Sequence, residues 1–116
     1  MDDALEVLVN KSGDVTIVHV AGEVDVASAP ELRSRLEEVA PAEGRVIVDL
    51  TEVGFLDSTG LGVLVAGWKR FQNGEGTSCL SLVVTRPEIL RVLEVTGLTD
   101  VFTVHSSVAE ATAASS

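Results

Sequence analysis

Val46-Ile47-Val48-Asp49-Leu50 leads into Gly54-Phe55-Leu56-Asp57-Ser58-Thr59-Gly60-Leu61-Gly62, and this passage is the most informative in the chain. The first run is apolar and rich in β-branched residues, as a buried strand is. After the second, Leu61, Leu64, Val65, Trp68 and Phe71 recur at helical spacing, which predicts a helix from about Ser58 to Gln72. Ser58 is thereby placed at a helix start, in a loop with two glycines. Such a start exposes backbone N–H groups and carries partial positive charge. A phosphate is well tolerated there. Glycines leave room for another surface to approach. The local chemistry points to a phosphate site or a modified serine.

Toward the N-terminus, Leu5, Val7 and Val9, then Val15, Ile17, Val18 and Val20, flank Asn10-Lys11-Ser12-Gly13-Asp14. That pattern predicts an antiparallel hairpin with a loop of about five residues. Gly22-Glu23-Val24-Asp25 reads as a short acidic loop. Ser28-Ala29-Pro30-Glu31 has capping-box spacing with proline in the first turn. It opens a helix with Leu32, Leu36 and Val39 on its apolar face, ended by Pro41 and Gly44.

Toward the C-terminus, Asn73-Gly74-Glu75-Gly76 stops the central helix and Leu80 to Val84 forms a strand. Thr85-Arg86-Pro87-Glu88 repeats the capping signal before a helix lined by Ile89, Leu90 and Leu93, with Gly97 as its stop. Val101 to Val104 is a last short strand. A final helix begins near Ser107, with a frayed tail over about 110–116. The order β-β-α-β-α-β-α-β-α describes an α/β domain. Its mixed sheet has about five strands and about four helices: the opening hairpin is antiparallel, and right-handed crossovers make the later strands parallel.

The chain has 116 residues, enough for a single domain spanning 1–116 with an ordered core over about 4–108. Hydrophobic residues make up 46%, which suffices for one core built from Val, Leu and Ala. No apolar run is long enough to span a bilayer. Met1-Asp2-Asp3 lacks the basic-then-apolar order of a secretion signal, so a cytoplasmic protein is expected. Eight Lys and Arg against 18 Asp and Glu give a net charge of −10. Such a field repels nucleic acid and anionic membranes and favours a basic protein partner, although it also serves solubility alone. Cys79 is the single cysteine, which excludes an internal disulfide and a cysteine-rich metal site. A half-buried structural thiol is expected there.

Three features resemble the STAS domain, in its anti-sigma factor antagonist branch. Gly22-Glu23-Val24-Asp25 is similar to the family's G-E-[LV]-D segment after the second strand. Val48-Asp49-Leu50 with Phe55-Leu56-Asp57-Ser58-Thr59-Gly60-Leu61-Gly62 resembles its D-S-[ST]-G-L-G phosphorylation loop. The order of elements agrees over nearly the whole chain. The resemblance implies a small cytoplasmic bacterial regulator that works by partner switching. The unphosphorylated form would bind an anti-sigma factor that is also a serine kinase, and so free the sigma factor. The kinase would phosphorylate Ser58, with Thr59 the less favoured hydroxyl, and the complex would dissociate. A PP2C-type phosphatase would reset the switch. ATP and Mg²⁺ would come with the kinase, so no cofactor, metal site or catalytic residue is expected on this chain, which would be a monomer when free. The implied partner surface comprises Asp25, Asp57, Ser58, Thr59, Gly60, Leu61 and Gly62.

Other readings of the same residues stay open at this point. Ser58 by itself also fits a plain helix cap, but Asp57 is the better candidate for that place and would leave Ser58 outward-facing. Gly60 and Gly62 also fit helix–sheet packing, although two glycines in a first turn lower helix propensity. Leu61 is expected as a partly exposed apolar anchor. A serine hydrolase would need a G-x-S-x-G elbow and a histidine base; the elbow is absent, with His19 in a strand and His105 near the C-terminus. Two alternatives keep the fold and change the partner: a STAS subunit of a phospholipid-transport ATPase complex, or a nucleotide- or small-ligand-binding STAS module.

Overall fold

Leu5–Ser12 (β1) and Val15–Val24 (β2) pair antiparallel from Leu5 opposite Gly22 to Ser12 opposite Val15. The computed structural model describes residues 5–13, 15–39, 45–73 and 79–113. The hairpin connection is two residues long rather than about five, because pairing runs on through Asn10, Lys11 and Ser12. Gly13 supplies the left-handed backbone, φ +63°, that so tight a connection favours.

Arg45–Leu56 (β3) lies parallel to β2, Cys79–Val83 (β4) parallel to β3, and Thr103–His105 (β5) parallel to β4. The sheet order is β1-β2-β3-β4-β5, the mixed five-stranded arrangement expected. β3 is 12 residues long and continues through Gly54-Phe55-Leu56, which the sequence pattern assigned to a loop. β4 pairs with β3 only from Arg45 to Asp49. The rest of β3 therefore overhangs with the end of β2, and this overhang carries the site.

Three helices cover one face: Ala29–Glu38 (α1), Ser58–Asn73 (α2) and Pro87–Val95 (α3). Leu32, Leu36, Leu64, Ile89 and Leu93 pack there with Val18, Val20, Val48, Leu50 and Leu82. Trp68 adds an edge-to-face contact with Phe102, ring centroids 6.4 Å apart. Val108–Ala113 (α4) packs on the opposite face, where Ala111 and Val108 meet Val15, Ile17, Ile47 and Val83.

The C-terminal helix is held further along than expected. Ala111 is buried. The Arg45 guanidinium donates to the carbonyls of Ala111 (3.1 Å) and Thr112 (2.8 Å). The Glu110 carboxylate accepts the Ser106 N–H at 2.7 Å. These contacts keep residues 110–113 in the fold, and the rest of the expected tail, 114–116, lies outside the described residues. So do Pro41, Gly44, Gly74-Glu75-Gly76 and the side chain of Cys79.

Neither capping box forms through its side chain: Ser28 and Arg86 hold the cap positions of α1 and α3 without a side-chain cap bond. Proline stands in the first turn of both helices. The stop after α3 is as expected, with Gly97 at φ +78°. Among the described residues, no helix is long and apolar enough to cross a membrane.

Candidate functional site

At the overhang, β2 and β3 finish side by side with Val24 opposite Leu56. β2 passes into α1 through the turn Asp25–Ser28, and β3 passes into α2 through Asp57 alone. One hydrogen bond joins the two connections: the Asp57 N–H donates to the Val24 carbonyl at 3.1 Å. Of the acidic tetrapeptide, Gly22, Glu23 and Val24 belong to β2, and only Asp25 lies in the turn.

Asp57 caps α2. Its Oδ1 accepts the N–H groups of Thr59 (2.9 Å) and Gly60 (3.1 Å), two of the donors that a helix start leaves unpaired. Ser58 is thus the first helical residue, and both Ser58 and Thr59 are exposed. Among the described residues, the Ser58 hydroxyl has no hydrogen-bond partner. The first turn of α2 carries no acidic residue of its own. An exposed hydroxyl therefore stands at the positive end of a 16-residue helix.

Asp25 faces the same end from the neighbouring turn. Its Oδ1 accepts the N–H groups of Ala27 and Ser28, each at 3.0 Å, and lies 3.1 Å from the Ser28 hydroxyl. The Ser28 N–H, chiefly, holds this carboxyl below the ordinary carboxylate range, against a smaller opposing effect of desolvation. Asp25 is accordingly an anion at neutral pH.

The two glycines separate into different roles. A Cβ on Gly60 would lie 2.6 Å from both Val24 Cγ1 and Leu56 Cδ1. Gly60 is buried, and its missing side chain lets α2 sit down on the ends of β2 and β3. A Cβ on Gly62 would meet nothing within 4 Å. Leu61 is 7% exposed and belongs to the core, so it is not the partly exposed anchor expected. Helical rotation turns Leu61 inward and Gly62 outward.

The exposed apolar residues at this end are Val26 (72%) and Phe55 (48%), neither singled out by the sequence pattern. Strict alternation from buried Val53 would turn Phe55 inward. Instead the register slips there: Gly22 pairs with Val53 but Glu23 pairs with Phe55. The extra residue, Gly54, is a bulge that resets which side chains face the core.

Both histidines lie elsewhere. His19 is opposite Asp49, Asp49 opposite Val83, and Val83 opposite His105. All sit at one level of the sheet, seven strand residues short of Leu56, or roughly 23 Å at about 3.3 Å per residue. His19 Nδ1 is bonded to Asp49 Oδ2 at 2.7 Å, and Asp49 Oδ1 accepts the Thr51 N–H at 3.0 Å. This satisfied pair is on the sheet face that α4 only partly covers, beside a cavity of about 380 Å³. It is too far along the strands to act as a base on Ser58. Among the described residues, no group of three His, Cys, Asp or Glu is placed to hold a metal ion.

Several known proteins similar to this chain in sequence and fold are anti-sigma factor antagonists. The STAS domain pattern matches residues 6–111. The anti-sigma-B factor antagonist of Listeria monocytogenes is 39% identical over 90 residues, 77% of this chain and 77% of that protein. Its namesake in Bacillus subtilis is 37% identical over 89 residues, 77% of this chain and 80% of that protein. The crystal structure of an anti-sigma factor antagonist from Mycobacterium paratuberculosis superposes with a TM-score of 0.83 at 29% identity, covering 92% of this chain and 90% of that one.

Proposed function

The chain belongs to the STAS domain family, among its anti-sigma factor antagonists, and from that premise we propose that it works as a phosphorylation-controlled partner switch. Unphosphorylated, it binds an anti-sigma factor with serine kinase activity and frees the sigma factor. The kinase then modifies Ser58, the complex parts, and a PP2C-type phosphatase restores the hydroxyl. The chain contributes no catalytic residue: ATP, Mg²⁺ and the general base come with the kinase. It acts in the cytoplasm and is a monomer when free.

The observation that carries this proposal is Ser58 itself, exposed at the first position of α2 with Asp57 as the cap. Phosphorylation replaces a small neutral group by nearly two negative charges and three acceptor oxygens. The start of α2 tolerates that charge, so the fold survives. A partner packed against the hydroxyl must instead desolvate a dianion or withdraw. The contact surface comprises Asp25, Asp57, Ser58, Thr59 and the open flank at Gly62, with Val26 and Phe55 as apolar anchors. Gly60 and Leu61 support it from beneath, by seating α2.

Sigma-factor release tests the proposal. Added to a complex of a sigma factor with its kinase-type anti-sigma factor, the unphosphorylated chain is expected to liberate the sigma factor. The chain phosphorylated at Ser58 is expected not to. Equal release by both forms would count against a switch at this residue.

A further inference from the structure

The second serine at a helix start, Ser28, is 8% exposed and does not cap its helix. Of the backbone N–H donors that a capping hydroxyl would accept from the first turn of α1, the one at position 30 is missing, because Pro30 has none. The hydroxyl turns back toward β2 instead. It donates to the Glu23 carbonyl at 2.7 Å and accepts the Asp25 N–H at 3.0 Å. The Asp25 carboxylate, 3.1 Å away, shares in the single hydroxyl proton.

The Asp25 N–H belongs to the same peptide unit as the Val24 carbonyl. A peptide unit is planar and stiff, with its N–H and C=O pointing opposite ways. The N–H end of this unit is held by Ser28, and the carbonyl end receives the N–H of Asp57. Asp57 immediately precedes Ser58 and caps α2. One rigid unit thus connects the buried hydroxyl of Ser28 to the segment that presents Ser58.

We propose that Ser28 is a positioning residue for the acceptor: its hydroxyl sets the tilt of the Val24–Asp25 peptide, and through the Val24 carbonyl it fixes Asp57 and the direction in which Ser58 is offered. Removing the hydroxyl leaves the Asp25 N–H without its partner and lets the peptide rotate. The Asp57 N–H then loses its acceptor for part of the time. Small misplacements of a reacting group lower the rate of transfer more than they lower binding. The kinetic part of this inference rests on Ser58 being the kinase acceptor, whereas the structural part does not.

The experiment uses the full chain with Ser28→Ala, Ser28→Thr and, as a control, Thr16→Val. Thr16 is a buried hydroxyl residue of β2, near the end of that strand away from Ser28. Two quantities are read: amide hydrogen exchange at Asp57, and the kcat and KM for labelling by the serine-kinase anti-sigma factor that acts on the wild-type chain. Ser28→Ala is expected to speed exchange at Asp57 and to lower kcat about tenfold with KM changed less than threefold. Ser28→Thr restores both, since it returns the hydroxyl, and Thr16→Val changes neither. If Ser28→Ala does not fold, Ser28→Cys takes its place, because a thiol is a weak donor and acceptor. Wild-type exchange at Asp57 in the folded Ala or Cys variant would overturn the proposal. So would a loss of kcat that Thr16→Val reproduces. If no kinase labels Ser58 even in the wild-type chain, the switch itself fails, and Asp57 exchange still decides the role of Ser28.

Discussion

Ser28 and Ser58 both stand at helix starts, and they face opposite ways. Ser28 is buried, with its hydroxyl committed to Glu23 and Asp25. Ser58 is exposed, and its helix is capped by the preceding Asp57. A capping residue relieves its neighbour of structural duty. Where the serine itself braces the turn, as at Ser28, its oxygen is occupied. Where an aspartate does the capping, the next serine can be offered to a partner at no cost to the helix. The glycines that follow divide in the same manner, Gly60 against the sheet and Gly62 toward solvent.

The largest contrast is expected between those glycines. Gly60→Ala places a methyl group 2.6 Å from Val24 and Leu56 side-chain atoms. Overpacking of that kind costs about 1–3 kcal/mol. Gly62→Ala meets open space and gains helix propensity, with a stabilisation of up to about 1 kcal/mol. Urea denaturation of the two variants checks the opposite signs, and equal effects would remove the inward–outward distinction.

Charge at Ser58 sharpens the contrast between stability and binding. Ser58→Asp is expected to weaken the anti-sigma factor at least about tenfold, or 1.4 kcal/mol, by leaving an unpaired charge at a desolvated contact. Its melting temperature should scarcely move, because an anion at a helix N-terminus is tolerated. Calorimetric titration and thermal melting together test this. An unfolded variant would make the effect structural.

A bulkier residue at the open glycine probes the surface without charge. Gly62→Leu is expected to reduce partner affinity by about 1 kcal/mol or more while folding stability changes less. Unchanged affinity would place the contact elsewhere on the molecule.

The smallest effect concerns acid. The folded-state value of Asp25 is depressed, so its stabilising contribution is complete above the ordinary carboxylate value and is lost as pH falls through the depressed one. The stability gap between wild type and Asp25→Asn at neutral pH should therefore narrow below about pH 4. Denaturant titrations at stepped pH measure it. A gap that persists at the lowest pH would mean that Asp25 acts through its hydrogen bonds and not its charge.

Much of this was legible in the chain. The 3.6-residue spacing from Leu61 to Trp68 gave α2, and the sequence Asp57-Ser58 was enough to assign the cap to the first residue and the exposed hydroxyl to the second. What escaped was tertiary. Whether Leu61 faces in or out depends on how deeply α2 seats, and that depth is set by Gly60 against Val24 and Leu56. Phe55 was hidden by the Gly54 bulge, which no alternation pattern reveals. Ser28 carried a capping-box spacing that its side chain does not use, because its hydroxyl is bonded behind it to the Glu23 carbonyl of β2 and the Asp25 N–H of the turn.

The most direct measurement is the position of the phosphate after incubation with a kinase-type anti-sigma factor and Mg-ATP, mapped by mass spectrometry in the wild-type chain and in Ser58→Ala. The expected result is a single phosphate on Ser58, absent from Ser58→Ala, which keeps its wild-type fold. Phosphate on Thr59 alone, or on Ser28, would contradict the account.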